Sequence, residues 1–260
     1  MNPRSGDDSP SADELLATAR ERGIEAHILG EDDDAAELAR AAEADALGMA
    51  GGDGSLAPVA QVAIERDLPF VCIPFGTRNH FARDLGLDRD DPIGALDAFR
   101  GRERRIDVGR VRGDVFLNNV SLGVYAALVH RRERHRRRRN AFARLRALLL
   151  TVTNRESLGL TVDGEPVEAQ VALVSNNGYK LEVFSLGERE RLDEGKLHVY
   201  LARGWRLSEW EERVTTSLTI DAARHRIKAA VDGEPAVFET PVEFEIDPLA
   251  LRVLVPAAPG

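Results

Sequence analysis

The chain carries one cysteine, Cys72, in 260 residues, so no internal disulfide can form. Lying in an apolar strand pattern, that cysteine reads as a small buried hydrophobe. No run of about 18 apolar residues occurs, which argues against a membrane-spanning helix. The first residues, Met1-Asn2-Pro3-Arg4-Ser5-Gly6, lack the apolar core of a secretion signal. A cytoplasmic protein is expected. There is no Gly-x-x-x-x-Gly-Lys-Ser/Thr loop, no Cys-x-x-Cys, no His-Glu-x-x-His and no Gly-x-Ser-x-Gly elbow. The six histidines are scattered without ligand spacing. Trp205 and Trp210 read as packing residues. No low-complexity linker separates the parts of the chain.

The net charge of −9 argues against a general nucleic-acid binder. The charge is uneven. Residues 31–34 are acidic, whereas residues 130–139 read HRRERHRRRR. That basic run continues into Phe142, Leu145, Leu148, Leu149 and Val152 at helical spacing. A solvated helix face is the bland reading of such a run. The apolar stripe beside it favours an anionic membrane surface, with residues Arg131 to Arg139 as the contact. No aromatic platform is interleaved with the arginines, which disfavours RNA or DNA.

What is present points to phosphate. Gly51-Gly52-Asp53-Gly54-Ser55 follows a short apolar run, residues 46–50. It precedes a helical pattern with apolar Leu56, Val59, Ala60, Ala63 and Ile64. The order is strand, glycine-rich turn, helix. Glycines let a phosphate approach the backbone, and the N–H groups of the following helix point at it. A carboxylate at Asp53 would repel phosphate directly, so a bridging Mg²⁺ is implied. Residues 70–79 repeat the layout: an apolar strand, the turn Pro74-Phe75-Gly76, then polar Thr77 and Asn79. Two polar turns at the same end of adjacent parallel strands form a nucleotide crevice.

Ser11 and Glu14 make a capping box for a helix over residues 11–22, ended by Gly23. Residues 24–29 read as a strand, and Asp34 with Glu37 caps a second helix reaching about residue 44. Pro92 at a first helical position opens another helix, closed by Gly101. Strand and helix alternate over residues 1–104, which predicts an α/β nucleotide-binding domain with a parallel sheet. From residue 105 to 260 short strands dominate, at 115–120, 158–162, 167–174, 197–201, 226–231, 242–246 and 251–255. Helical patterns interrupt them at 124–151 and 207–214. This predicts an antiparallel β-sandwich or barrel. Asp-Gly-Glu-Pro occurs at 163–166 and again at 232–235, each between strands, and Asp-Gly is a strong hairpin signal.

Several blocks taken together resemble the diacylglycerol kinase catalytic-domain family, which includes bacterial lipid kinases and sphingosine kinases. They are NPRSG (2–6), GGDGS (51–55), PFGTRNHFAR (74–83), RIDVGRV (105–111), FLNNVSLG (116–123), RLDEGKL (191–197), VDGEP (231–235) and ALRVLVP (250–256). The resemblance implies ATP- and Mg²⁺-dependent transfer of a γ-phosphoryl group to a lipid hydroxyl, with diacylglycerol or a related lipid as acceptor. It implies a nucleotide-binding α/β domain joined to a lipid-binding β-sandwich domain, with the active site in the cleft between. The phosphate cradle would be Gly51, Gly52, Asp53, Gly54, Ser55, Leu56 and Ala57, with Thr77 and Asn79. Asp53 and Asp107 match the acids that organise the nucleotide's Mg²⁺ and its waters. Asp232 matches the general base, with Glu234 beside it. A structural Mg²⁺ site would use Glu194 and main-chain carbonyls near Arg191 and Lys196. The enzyme would be cytoplasmic and peripherally membrane-associated, and an exposed strand edge could pair with a second copy.

The chain departs from the family pattern in places. It starts at the Asn-Pro loop, where relatives have a preceding buried strand. His80 stands where the family carries an Asp, Ser55 replaces a Thr, and Glu194 replaces an Asp. His80 and the absent strand motivate an alternative: a catalytically weak relative that binds nucleotide or lipid. NAD kinase, which shares the GGDG loop, is a further alternative, disfavoured by the PFGTRN block and the basic stretch.

Overall fold

The computed structural model describes residues 1–3, 10–123, 159–180, 188–203 and 210–257. The chain divides into two compact units. The first holds Met1–Val108, Lys180–Glu194 and Asp247–Gly260, and the second holds Gly109–Tyr179 and Gly195–Ile246. The division is therefore not a single cut near residue 105. Two strands, β3 (Arg102–Val111) and a later one at Val242–Val255, each run through both units and carry the chain across.

In the first unit, α1 (Ala12–Glu21) carries the expected capping box. Glu14 N–H donates to Ser11 Oγ at 3.2 Å, and Ser11 N–H donates to the Glu14 carboxylate at 2.7 Å. The helix buries Leu15 and Ala19. The next helix, α2 (Ala35–Ala41), is capped by Asp34, which accepts from Ala36 and Glu37. Strands β1 (Leu47–Gly51) and β2 (Phe70–Pro74) pair in parallel, Leu47 opposite Phe70 and Gly51 opposite Pro74. Every residue of β2 is buried, as parallel strands covered on both faces should be. Cys72 is among them, its thiol pushed well above the ordinary range by burial, with the Asp53 charge adding to it. Between the strands runs α3 (Asp53–Glu65), which buries Leu56, Val59, Ala60 and Ala63. Two short helices follow, α4 (His80–Asp84) and α5 (Pro92–Ala95), the latter continuing as a 3₁₀ turn to Arg100. Residues 24–29 are not a strand. Among the described residues Met1 lies alongside them, donating to His27 and accepting from Leu29, while Asn2 N–H reaches Ala50 of β1.

The second unit is antiparallel. Its strands are β4 (Asp114–Phe116), β5 (Asn119–Gly123), β6 (Leu160–Val162), β7 (Glu165–Val167), β8 (Val171–Asn176), β9 (Leu197–Ala202), β10 (Trp210–Thr215), β11 (Ser217–Ala222), β12 (Arg226–Val231), β13 (Glu234–Glu239) and β14 (Val242–Val255). One sheet runs β10-β9-β8-β5-β12-β13 with every pair antiparallel. Facing it, β7, β6, β11 and the start of β14 pair in turn. Val120, Leu122, Val174, Leu197 and Val199 of the first sheet pack with Val162, Leu218, Ile220, Val242 and Phe244 of the second. The expected sandwich is thus present. In the first unit the end of β14 joins the parallel pair, Val253 opposite Phe70.

Several strand boundaries differ from the sequence reading. The strand expected at 115–120 is broken into β4 and β5, because the N–H groups of residues 117–119 turn to a side chain instead of a neighbouring strand. The strand expected at 167–174 is the end of β7 and most of β8, and those at 242–246 and 251–255 are one continuous β14. Residues 210–214, expected as part of a helix, lie in β10, which pairs with β9 along its whole length. Its apolar spacing also fits a helix, but the tertiary partner decides. The basic helical pattern at 124–151 lies outside the described residues.

Gly109 lies opposite Phe116 in the β3–β4 pair, and a Cβ there would run into the Phe116 ring. Gly109→Ala is expected to displace that fully buried ring and to cost about 1–3 kcal/mol, read as a fall in the denaturant midpoint.

Candidate nucleotide site and the aspartate turns

The two turns singled out in the sequence are locked together in the first unit. Phe75 N–H donates to Gly51 O at 3.2 Å, and a Cβ at Gly76 would run into Gly52 Cα. A Cβ at Gly51 would run into Ser55 Oγ. Gly76, which meets backbone, is therefore required by close approach. Gly52 is the N-cap of α3 in extended conformation, with no side-chain cap on the helix. The Ser55 hydroxyl and N–H both donate to Gly52 O, at 2.8 and 2.9 Å. The helix start therefore has no side-chain cap, a form that suits a phosphate.

Asp53 sits in the first turn of α3, and its carboxylate accepts the N–H groups of His80 at 3.1 Å and Phe81 at 2.9 Å. It therefore caps α4, a helix whose own N-cap residue, Asn79, makes no side-chain cap bond. Asn79 instead closes its turn. Its Oδ1 accepts from Gly76 N–H at 2.9 Å, and its Nδ2 donates to Gly76 O at 2.9 Å and Arg89 O at 3.0 Å. Its φ of 50° is in the left-handed region that Asn tolerates. Thr77, between them, is exposed. Among the described residues the buried Nδ1 of the His80 ring has no hydrogen-bond partner. Burial holds this imidazole below its ordinary pKa, against the pull of Asp53, so the neutral ring is favoured.

Asp107, on β3, is 1% exposed. Its N–H donates to Leu192 O at 2.7 Å, and its Oδ1 accepts from Leu249 N–H at 2.8 Å. Arg191 is exposed and pairs with Asp193 at 3.0 Å, and Glu194 is half-buried. In the second unit Lys196 is exposed, and its carbonyl accepts from Asn177 N–H at 3.0 Å. Among the described residues no group of three or more His, Cys, Asp or Glu is arranged to hold a metal. The residues present fit a phosphate cradle. A Mg²⁺ ion, commonly held by one or two carboxylates with waters and the substrate's own phosphates, would have Asp53 and Asp107 to draw on.

The two Asp-Gly-Glu-Pro copies form the same turn in the second unit, with φ of 51° and 83° at Asp163 and Gly164, and 48° and 89° at Asp232 and Gly233. Their carboxylates differ. Asp163 is exposed and accepts one N–H, from Thr219 at 2.8 Å. Asp232 is 8% exposed and accepts at least three among the described residues, from Leu117 at 2.8 Å, Asn118 at 2.7 Å and Asn119 at 3.0 Å. These charge-assisted bonds orient the carboxylate and use most of its acceptor capacity. Asn119 in turn donates from Nδ2 to the Tyr179 hydroxyl at 2.8 Å. Glu234 is exposed at the start of β13. Sequence reasoning gave no role to Asn119, although it lies in the FLNNVSLG block, nor to Tyr179, 60 positions away.

Residues 1–111 match the family model described as diacylglycerol kinase catalytic domain. Among curated relatives, a diacylglycerol kinase of Mycobacterium tuberculosis strain H37Rv is 37% identical over 121 residues, which are 44% of this chain and 39% of that protein. A diacylglycerol kinase of Bacillus subtilis strain 168 is 38% identical over 99 residues, 37% of this chain and 33% of that one. A protein named as a YegS-like lipid kinase in Pseudomonas aeruginosa PAO1 is 38% identical over 116 residues, covering 42% and 38%. The matches span well under half the length of these relatives. The fold likeness extends further. A solved structure described as a diacylglycerol kinase from Bacillus anthracis strain Sterne superposes with a TM-score of 0.68 at 17% identity, covering 98% of this chain and 94% of that one.

The diacylglycerol kinase match thus includes Asp53, Thr77, Asn79, His80 and Asp107, but ends before Arg191, Glu194, Asp232 and Glu234. Gly76→Ala is the direct check on the joined turns. It should leave the second unit intact and weaken nucleotide binding by about tenfold or more, the effect of displacing a positioning group by an ångström or so, as measured by calorimetry.

Proposed function

We propose that this chain is a lipid kinase that transfers the γ-phosphoryl group of ATP to a lipid hydroxyl, with diacylglycerol or a related lipid as acceptor. The observation that carries it is the start of α3, without a side-chain cap and locked to a second polar turn, within the stretch that matches the kinase family. Gly51 through Ala57 and Thr77 would hold the phosphates. Phosphoryl transfer needs positioning and charge neutralisation more than covalent chemistry. Asp53 and Asp107 would hold Mg²⁺ and its waters, and the ion when bound would neutralise phosphate charge. Asp232, with Glu234 near it in sequence, would take the proton of the attacking hydroxyl. The three N–H groups on Asp232 support this role by fixing the carboxylate's direction. Arg131 to Arg139, outside the described residues, would hold the enzyme at an anionic lipid surface in the cytoplasm. Among the described residues no helix is long and apolar enough to cross a membrane.

A second reading has one specific observation behind it. His80 brings a buried, neutral-leaning ring beside Asp53 where an acid would strengthen a cation site. On that reading the chain binds nucleotide with little turnover.

The test is ATP consumption by the purified chain with Mg²⁺, against vesicles containing diacylglycerol, phosphatidylglycerol or a sphingoid base, with NAD as a separate acceptor. Lipid-dependent turnover that falls about 100-fold or more in Asp53→Ala supports the kinase. Nucleotide binding without turnover supports the second reading, and NAD phosphorylation would replace both. The hairpin aspartates give an internal comparison. Asp232→Asn should lose activity by about 10²-fold or more as a missing base, and should also lose about 1–3 kcal/mol as an N–H faces an amide donor. Asp163→Asn, measured in the same assay and melt, should change activity little.

A further inference from the structure

None of the roles above uses the most deeply buried ion pair among the described residues. Asp84 is the last residue of α4, and Arg189 lies in the segment before Leu192. Arg189 Nε is 2.8 Å from Asp84 Oδ2, and the two side chains are 0% and 2% exposed. Arg83 adds two bonds to Asp84 Oδ1, at 3.0 and 2.8 Å. Both members belong to the first unit. Stability alone is a weak reason for such a pair, because apolar residues of similar volume commonly hold a fold as well or better. What the pair supplies is a fixed attachment.

The attachment joins two carboxylates. Asp53 holds the start of α4 through His80 and Phe81, and Asp84 ends the same helix. Across the ion pair, the segment that carries Arg189 presents Leu192 O to Asp107 N–H, 2.7 Å away. Asp107 is thereby set on β3, with its Oδ1 on Leu249 N–H. One helix, one ion pair and one short segment connect Asp53 with Asp107.

We infer that Asp84 and Arg189 are a positioning pair, fixing the spacing of Asp53 and Asp107 so that both serve one magnesium–nucleotide complex. The inference rests on the kinase reading of those two aspartates. Neither member of the pair touches the nucleotide in this scheme. Removing the pair should therefore change how strongly Mg²⁺ supports nucleotide binding, and leave metal-free binding alone.

The experiment is calorimetric titration of the full chain with ATP, in EDTA and at a series of Mg²⁺ concentrations, with thermal melts alongside. The apolar replacement Asp84→Leu with Arg189→Met should melt as a folded protein and bind ATP in EDTA as the wild type does. It should need about tenfold or more Mg²⁺ for half its full enhancement, the usual loss when a group supporting metal ligands is removed. Arg189→Lys, which keeps the charge, should recover part of that shift. A folded double variant with wild-type Mg²⁺ dependence overturns the inference. Should the double variant fail to fold, Asp84→Glu and Arg189→Lys carry the test, and wild-type Mg²⁺ dependence in both overturns it equally. Wild-type protein that binds no ATP with or without Mg²⁺ would sink the kinase reading, and the pair's role with it.

Discussion

Main-chain N–H groups left over by helices and strands must find acceptors when buried, and here three aspartates supply them. Among the described residues Asp53 accepts from His80 and Phe81 at the start of α4, Asp107 accepts from Leu249, and Asp232 accepts from residues 117–119. Each carboxylate holds a stretch of chain distant in sequence, and an ionised acceptor makes these bonds stronger than neutral ones. These are also the aspartates to which the kinase reading gives chemistry. A carboxylate that must be placed within a fraction of an ångström gains its direction from the backbone it holds. On that reading the structural and the chemical roles share one requirement, and a variant at any of the three would disturb both.

The first unit adds a second constraint, the close approach of two turns. Gly52 and Gly76 meet backbone to backbone, and Ser55 and Asn79 each spend their polar atoms closing their own turn. The start of α3 has no side-chain cap. Such a start suits an anion with many oxygens and little shape of its own. The buried Asp84–Arg189 pair is attached to α4, and the His80 ring with its buried Nδ1 lies in it. Polar groups placed so deep narrow the arrangements the local chain can take.

Legibility in the sequence followed the range of the interaction. The capping box of α1, the Asp34 cap of α2 and the Asp-Gly turns were readable because donor and acceptor lie within three residues of each other. The strand–glycine–helix order around Asp53 was readable for the same reason. Residues 24–29 failed as a strand because a strand is defined by its partner, and among the described residues only Met1 is hydrogen-bonded alongside. Trp210 to Val214 carry spacing that fits a helix, and β9 made them a strand. The break between β4 and β5 depends on Asp232, 113 to 115 positions away. Nothing local at residues 117–119 announces it.

By itself, the sequence determined the kinase-family resemblance, the glycine-rich turn and its helix, and the paired Asp-Gly hairpins. Each is local chemistry, settled by glycine, caps and apolar spacing within about ten residues. Only the tertiary structure separated Asp232 from Asp163. The two share the tetrapeptide and the turn, and differ in burial and in the number of N–H groups they hold. It also brought Arg189 to Asp84, 105 positions apart. The reason is physical: burial and long-range hydrogen bonds belong to the packed chain, and a side chain's role is decided by what the fold puts against it.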